Sequence, residues 1–157
     1  MIKICFYGSC GHSSTVFEAR REDLLFCGCC AGEPGEPGIE GLLAQAAKQG
    51  QHIKKYISLE EMLDQERPHV LVVDNSFGCH LSPALIALQR GIGVYCDKPA
   101  VARLEELVLL RHILEKTGGV FWTMQTMRYE PCFYTAKQLV SSGIIGTVRL
   151  VNSQKSY

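Results

Sequence analysis

The stretch Ile2-Lys3-Ile4-Cys5-Phe6-Tyr7-Gly8-Ser9-Cys10-Gly11-His12-Ser13-Ser14 decides how this chain folds. Its first six residues are β-branched, apolar or aromatic apart from one lysine, and Gly8 ends the run at once, which is the make-up of a short buried strand. A turn with glycines at 8 and 11 follows, and then a stretch that reads as a helix over Ser13–Arg21. In a strand, glycine turn, helix arrangement the backbone can approach a phosphate closely, and the helix start presents unpaired N–H groups to it. The G-x-G-x-x-G template is met in part, with Cys10 at its second glycine and Ser13 at its third. Gly8, Ser9, Cys10, Gly11, His12 and Ser13 are therefore the candidate turn contacts. A tight turn without a ligand is the alternative at this point.

Outward from the turn, short apolar runs alternate with amphipathic stretches. The predicted strands are Ile2–Tyr7, Leu24–Cys30, His52–Ile57, Val70–Asp74, Gly93–Cys96 and Val120–Met124. The predicted helices lie near Ser13–Arg21, Glu40–Gln49, Leu59–Gln65, Leu81–Arg90, Arg103–Lys116 and Cys132–Ser142. Strands and helices alternating at this spacing give an α/β chain with a Rossmann-like, doubly wound parallel sheet in three αβα layers. Ser58-Leu59-Glu60-Glu61 is a capping box that starts a helix. Pro131 fits a first helical turn and Gly143 a left-handed residue after a helix end. Within Arg103–Lys116, Leu104, Leu107, Val108 and Leu114 share a face that is expected to lie on the sheet. The Gly-Glu-Pro repeat in Gly32–Gly38 reads as a surface loop just past the second strand.

Sixteen basic residues balance sixteen acidic ones, so no long-range field draws in a polyanion, and nucleic acid is not an expected partner. No apolar run reaches the ~18–20 residues of a membrane span, and the first run is too short for a signal core. A cytoplasmic protein with reduced cysteines is the expectation, several of its eight cysteines lying inside apolar runs. No metal site is predicted, because adjacent Cys29 and Cys30 are awkward for chelation.

The stretch Gly91-Ile92-Gly93-Val94-Tyr95-Cys96-Asp97-Lys98-Pro99 brings an aspartate and a lysine to the carboxyl edge of the sheet, where ligands of open α/β sheets bind. The Lys98 ammonium can hydrogen-bond a substrate oxygen there or pass a proton, with Asp97 close enough to hold it. A dinucleotide site usually carries an acid ~20 residues past the turn, bonded to a ribose. Glu33 is the nearest acid after the second strand, and both NAD and NADP stay open as cofactors.

Asp97-Lys98-Pro99, the preceding helix Ala84–Gly91, Ser58–Leu63 with Pro68–Val73, Met127–Pro131 and Lys137–Val148 together resemble the glucose–fructose oxidoreductase and inositol dehydrogenase family over nearly the whole chain. The resemblance implies an NAD(P)-binding domain, with Lys98 as a signature lysine beside nicotinamide and substrate and Asp97 in place of the usual glutamate. It further implies Ser76, in the loop after the fourth strand, and His80, opening the next helix, as cofactor contacts. The function it implies is hydride transfer between the nicotinamide cofactor and a small-molecule sugar, polyol or related alcohol. A different reading also stands, a non-catalytic nucleotide-binding or interaction module that kept the fold and lost the chemistry.

The organisation expected is a dinucleotide domain over residues 1–146, with 147–157 opening a second α/β domain. Gly146–Ser156 reads as an apolar strand without its sheet, expected to pair with a second copy or to be weakly ordered. The isolated chain is then expected to show no dehydrogenase turnover.

Overall fold

The computed structural model describes residues 1–19, 21–36 and 38–154. Six parallel strands form one sheet: β1 (Ile2–Tyr7), β2 (Leu24–Cys30), β3 (Lys54–Tyr56), β4 (Val70–Val73), β5 (Gly93–Cys96) and β6 (Phe121–Thr123), in the order β3-β2-β1-β4-β5-β6. The helices are α1 (Gly38–Lys48), α2 (Leu59–Glu66), α3 (Leu81–Gln89), α4 (Leu104–Thr117) and α5 (Pro131–Ser141).

Alternation along the strands divides the core between the two faces of the sheet. Cys5, Leu71, Val73, Val94 and Cys96 pack with Met62, Leu63, Ala87, Leu88 and Leu110 on the face covered by α2, α3 and α4. Ile4, Phe6, Phe26, Cys29 and Val72 pack with Phe17, Ile39 and Leu42 on the other face. A sheet covered on both sides explains why β4 is an unbroken apolar run, with no alternation of polar residues. The strand register slips between Ile4 and Cys5, so Ile4 faces Phe26 while Cys5 faces Gly28. This β-bulge shifts the alternation within β2, so Phe26 and Cys29, three residues apart, share one layer while Cys30 faces the other.

Four expectations need correction. The segment predicted as the helix Ser13–Arg21 is a 3-10 helix over Ser13–Ala19, and Arg20 lies outside the described residues. Ser13, Ser14, Thr15 and Val16 are poor helix formers, and the Thr15 amide and hydroxyl both donate to His12 O, at 3.0 and 2.8 Å, which tightens the turn. The α4 face also differs: Leu110 and Ile113 are buried, whereas Leu104, Leu107 and Val108 are exposed. Apolar residues surround this helix, so periodicity alone could not say which face turned inward.

The capping box is half formed, with Ser58 Oγ accepting from Glu61 N at 3.2 Å while Glu61 accepts from Gln65 instead. No strand forms over 147–154, because β-structure needs a neighbouring ladder and none is present there; Ser156 and Tyr157 lie outside the described residues. The chain divides into two compact units, Met1–Met124 and Gln125–Tyr157. Pro131 does open α5, and Gly143 has φ 73° as expected. No described helix is long and apolar enough to cross a membrane.

Candidate functional site

The strand order reverses direction between β1 and β4, and the crevice at their carboxyl ends is where open α/β sheets take ligands. The turn after β1 occupies that crevice. Gly8 has φ 79°, and a Cβ there would stand 2.5 Å from Asn75 N, so only glycine lets β1 and the β4 loop approach so closely. Cys10 N donates to Asp74 O at 2.7 Å, which ties the turn to the end of β4.

The turn amides have internal acceptors. The Asp74 carboxylate accepts from Ser13 N at 2.8 Å and from His12 N at 3.2 Å. Glu36 accepts from Ser9 N with one oxygen and from Gly32 N at 2.7 Å with the other. Thus Glu36, three residues beyond the predicted Glu33, is the acid that reaches the turn. Glu33 itself is exposed and lines a neighbouring cavity. The Gly32–Gly38 loop folds back far enough to do this because Gly35 adopts φ 78°; Pro37 lies outside the described residues.

Asp97 stands at the end of β5 on the same edge and is fully buried. Its oxygens lie 3.0 and 3.2 Å from His12 Nδ1, so it holds the histidine and does not hold Lys98 as predicted. The Lys98 ammonium stands 5.0 Å over the Phe77 ring, a cation–π contact between the β5 and β4 loops. A Cβ at Gly11 would lie 2.0 Å from Asp97 Oδ2 and 2.7 Å from Asp74 Oδ1. Burial, opposed by the bonds to Ser13 and reinforced by nearby Asp97, raises the Asp74 pKa.

Of the remaining sequence candidates, His80 is buried, with Nδ1 2.7 Å from Pro99 O and Nε2 2.9 Å from Asn75 O. It braces the two loops and leaves no ring nitrogen for a ligand. Ser76 is half-buried in a tight turn, where its carbonyl accepts from Cys79 N at 3.0 Å. Cys10 Sγ lies 3.4 Å from Glu36 Oε1, and partial desolvation together with that carboxylate pushes its thiol up to about 11. Among the described residues no group of three or more His, Cys, Asp or Glu side chains is arranged to hold a metal ion.

Among the described residues, two buried polar atoms have no hydrogen-bond partner, Asn75 Oδ1 and Ser9 Oγ, both in the loops at the crevice. Asn75 borders an open cavity of about 430 Å³ between the β2 and β4 loops, with Gly32, Glu33, Ser58, Cys79 and Ser82 also in its wall. A second cavity, of about 560 Å³, lies at the amino edge around Arg67, His69, Arg90 and Ile92 and shares none of these groups. Sequence reasoning missed Glu36, Asp74 and Asn75. Asp74-Asn75, two polar residues closing an apolar strand, was the signal that could have found two of them.

Residues 39–125 match the family model described as an oxidoreductase family with an NAD-binding Rossmann fold, GFO_IDH_MocA. The chain belongs to that family. A Thermotoga maritima structure assigned as an oxidoreductase is 35% identical, with TM-score 0.86 over 92% of this chain and 45% of its own. The uncharacterised oxidoreductase YhhX of Escherichia coli is 29% identical over 68% of this chain and 31% of its own length. A scyllo-inositol dehydrogenase of Lactobacillus casei, solved with NAD(H) and scyllo-inositol bound, shares the fold at TM-score 0.75 and 20% identity, over 93% of this chain and 42% of its own. The chain thus spans less than half the length of each of these proteins. The family match starts at Ile39, downstream of the Gly8–Ser13 turn.

Proposed function

We propose that the chain is the dinucleotide-binding part of an oxidoreductase that moves hydride between NAD and a sugar, polyol or related alcohol. The observation that carries the reading is the pair of orphaned polar atoms, Asn75 Oδ1 and Ser9 Oγ, at the switch point of a family NAD-binding fold. An unpartnered buried acceptor is costly, about 1–3 kcal/mol, and a ligand hydroxyl or amino group removes that cost. This set of acceptors fits the adenosine end of the cofactor, with the base in the cavity beside Gly32 and Ser82 and a ribose facing Glu36 and Asn75. Both of those side chains offer acceptors to a ribose diol, and Glu36 would repel a 2′-phosphate, so NAD is the preferred form. When bound, the nicotinamide supplies the hydride acceptor or donor. The chain's own part is to orient the ends of the dinucleotide and to place Lys98 at the mouth of the site.

The competing reading, a module without cofactor chemistry, draws on the turn amides of Ser9, His12 and Ser13, which already have carboxylate acceptors. Fluorescence titration with NADH and NADPH separates the two. The proposal expects NADH to bind, NADPH to bind at least about tenfold more weakly, and Glu36→Ala to narrow that gap. Gly8→Val should abolish binding in a folded protein. Absence of binding by either nucleotide to the unmodified chain would favour the module.

A further inference from the structure

Asp74 and Asp97 are both fully buried, extend from neighbouring strand ends and converge beneath Gly11. Among the described residues neither is paired with an arginine or lysine. Asp97 has the imidazole of His12, and Asp74 has the backbone amides of His12 and Ser13 and the Ser13 side chain. The other charged or titratable groups around His12 make their contacts elsewhere. Lys98 is drawn off over Phe77, Glu36 adds a carboxylate on the far side of the turn beside the Cys10 thiol, and His80 directs both ring nitrogens at carbonyls.

We infer that this buried negative charge makes the site favour the oxidised, cationic nicotinamide over the reduced, neutral ring. The inference rests on the dinucleotide reading above. With adenosine in the cavity on the β2 side, a dinucleotide crossing the turn lays its other half over β4 and β5, where Asp97 lies. The two cofactor forms differ there by one positive charge and otherwise offer nearly the same contacts. Their affinity ratio therefore reports the field of the protein at that point, and salt screens buried charges little. His12 shares the Asp97 carboxylate and its backbone amide shares Asp74, so the selectivity belongs to the His12–Asp97–Asp74 group as a unit.

The test measures Kd for NAD⁺ and for NADH calorimetrically on the full chain at pH 8, with circular dichroism to verify folding. The unmodified protein should bind NAD⁺ at least as tightly as NADH. Asp97→Asn, which keeps the shape and removes one charge, should raise the ratio Kd(NAD⁺)/Kd(NADH) about tenfold, equivalent to a shift of about 30 mV in the bound couple. His12→Lys, at a side chain 42% exposed, leaves both carboxylates in place and adds a fixed positive charge, and should move the ratio the same way. This second variant tests the inference even if Asp97→Asn fails to fold. Two folded variants that bind both forms with an unchanged ratio would overturn the inference and leave the dinucleotide reading standing. No binding of either form to the unmodified chain would overturn that reading, and the selectivity with it.

Discussion

Gly11 has no room for even a methyl group, because two carboxylates converge where its Cβ would be. That one position shows how far the site could be read from the residues alone. The position of Gly8–Ser13 and of Lys98 at the carboxyl edge was legible, since strand ends fix which residues reach it. The contacts of Glu36, Asp74 and Asp97 were not, because they depend on a loop folding back and on which of several nearby groups each acid meets. Cys10 gives a test at this scale. Its raised pKa leaves little thiolate at pH 8, so alkylation by iodoacetamide, followed by peptide mass spectrometry, should run roughly tenfold slower at Cys10 than for free cysteine. Glu36→Gln should accelerate it. A rate equal to that of free cysteine would show that the carboxylate does not act on the sulfur.

At the scale of elements, β1, β2 and β5 lie where their apolar runs place them, because a strand buried on both faces is written as a nearly continuous apolar segment, broken in β1 only by Lys3. The exposed Leu104, Leu107 and Val108 of α4 show the limit of such reading: period selects residues that share a face, and packing decides which face is inside. The 3-10 helix Ser13–Ala19 is held to the sheet by Phe17, stacked 5.4 Å from Phe6 and edge-on 4.8 Å from Phe26. Phe17→Ala should therefore cost about 3–5 kcal/mol in urea unfolding, as for a buried core aromatic. A loss below about 1 kcal/mol would mean that the segment is anchored through Asp74 alone.

Over the whole molecule, the buried carboxylates link folding to pH. Asp74 has its pKa raised in the folded state, so its contribution to stability is complete below the ordinary value of 3.8 and is lost as pH rises through the raised folded value. Asp74→Asn removes that dependence. Unfolding free energies at pH 4, 5, 6 and 7 should show the variant gaining relative to the unmodified protein with increasing pH, and parallel curves would rule the coupling out. The β-bulge between β1 and β2 has a further consequence for comparing relatives. One residue of β2 is absorbed without moving either end of the ladder, since Ile2 still meets Leu24 while Tyr7 meets Cys30. The two ends of this ladder thus keep their partners across a one-residue difference in strand length, so the crevice does not by itself fix the chain distance from the Gly8–Ser13 turn to Glu36. The end of β2, where Gly32 N donates to Glu36, is therefore a firmer landmark for that carboxylate than a residue count from the turn.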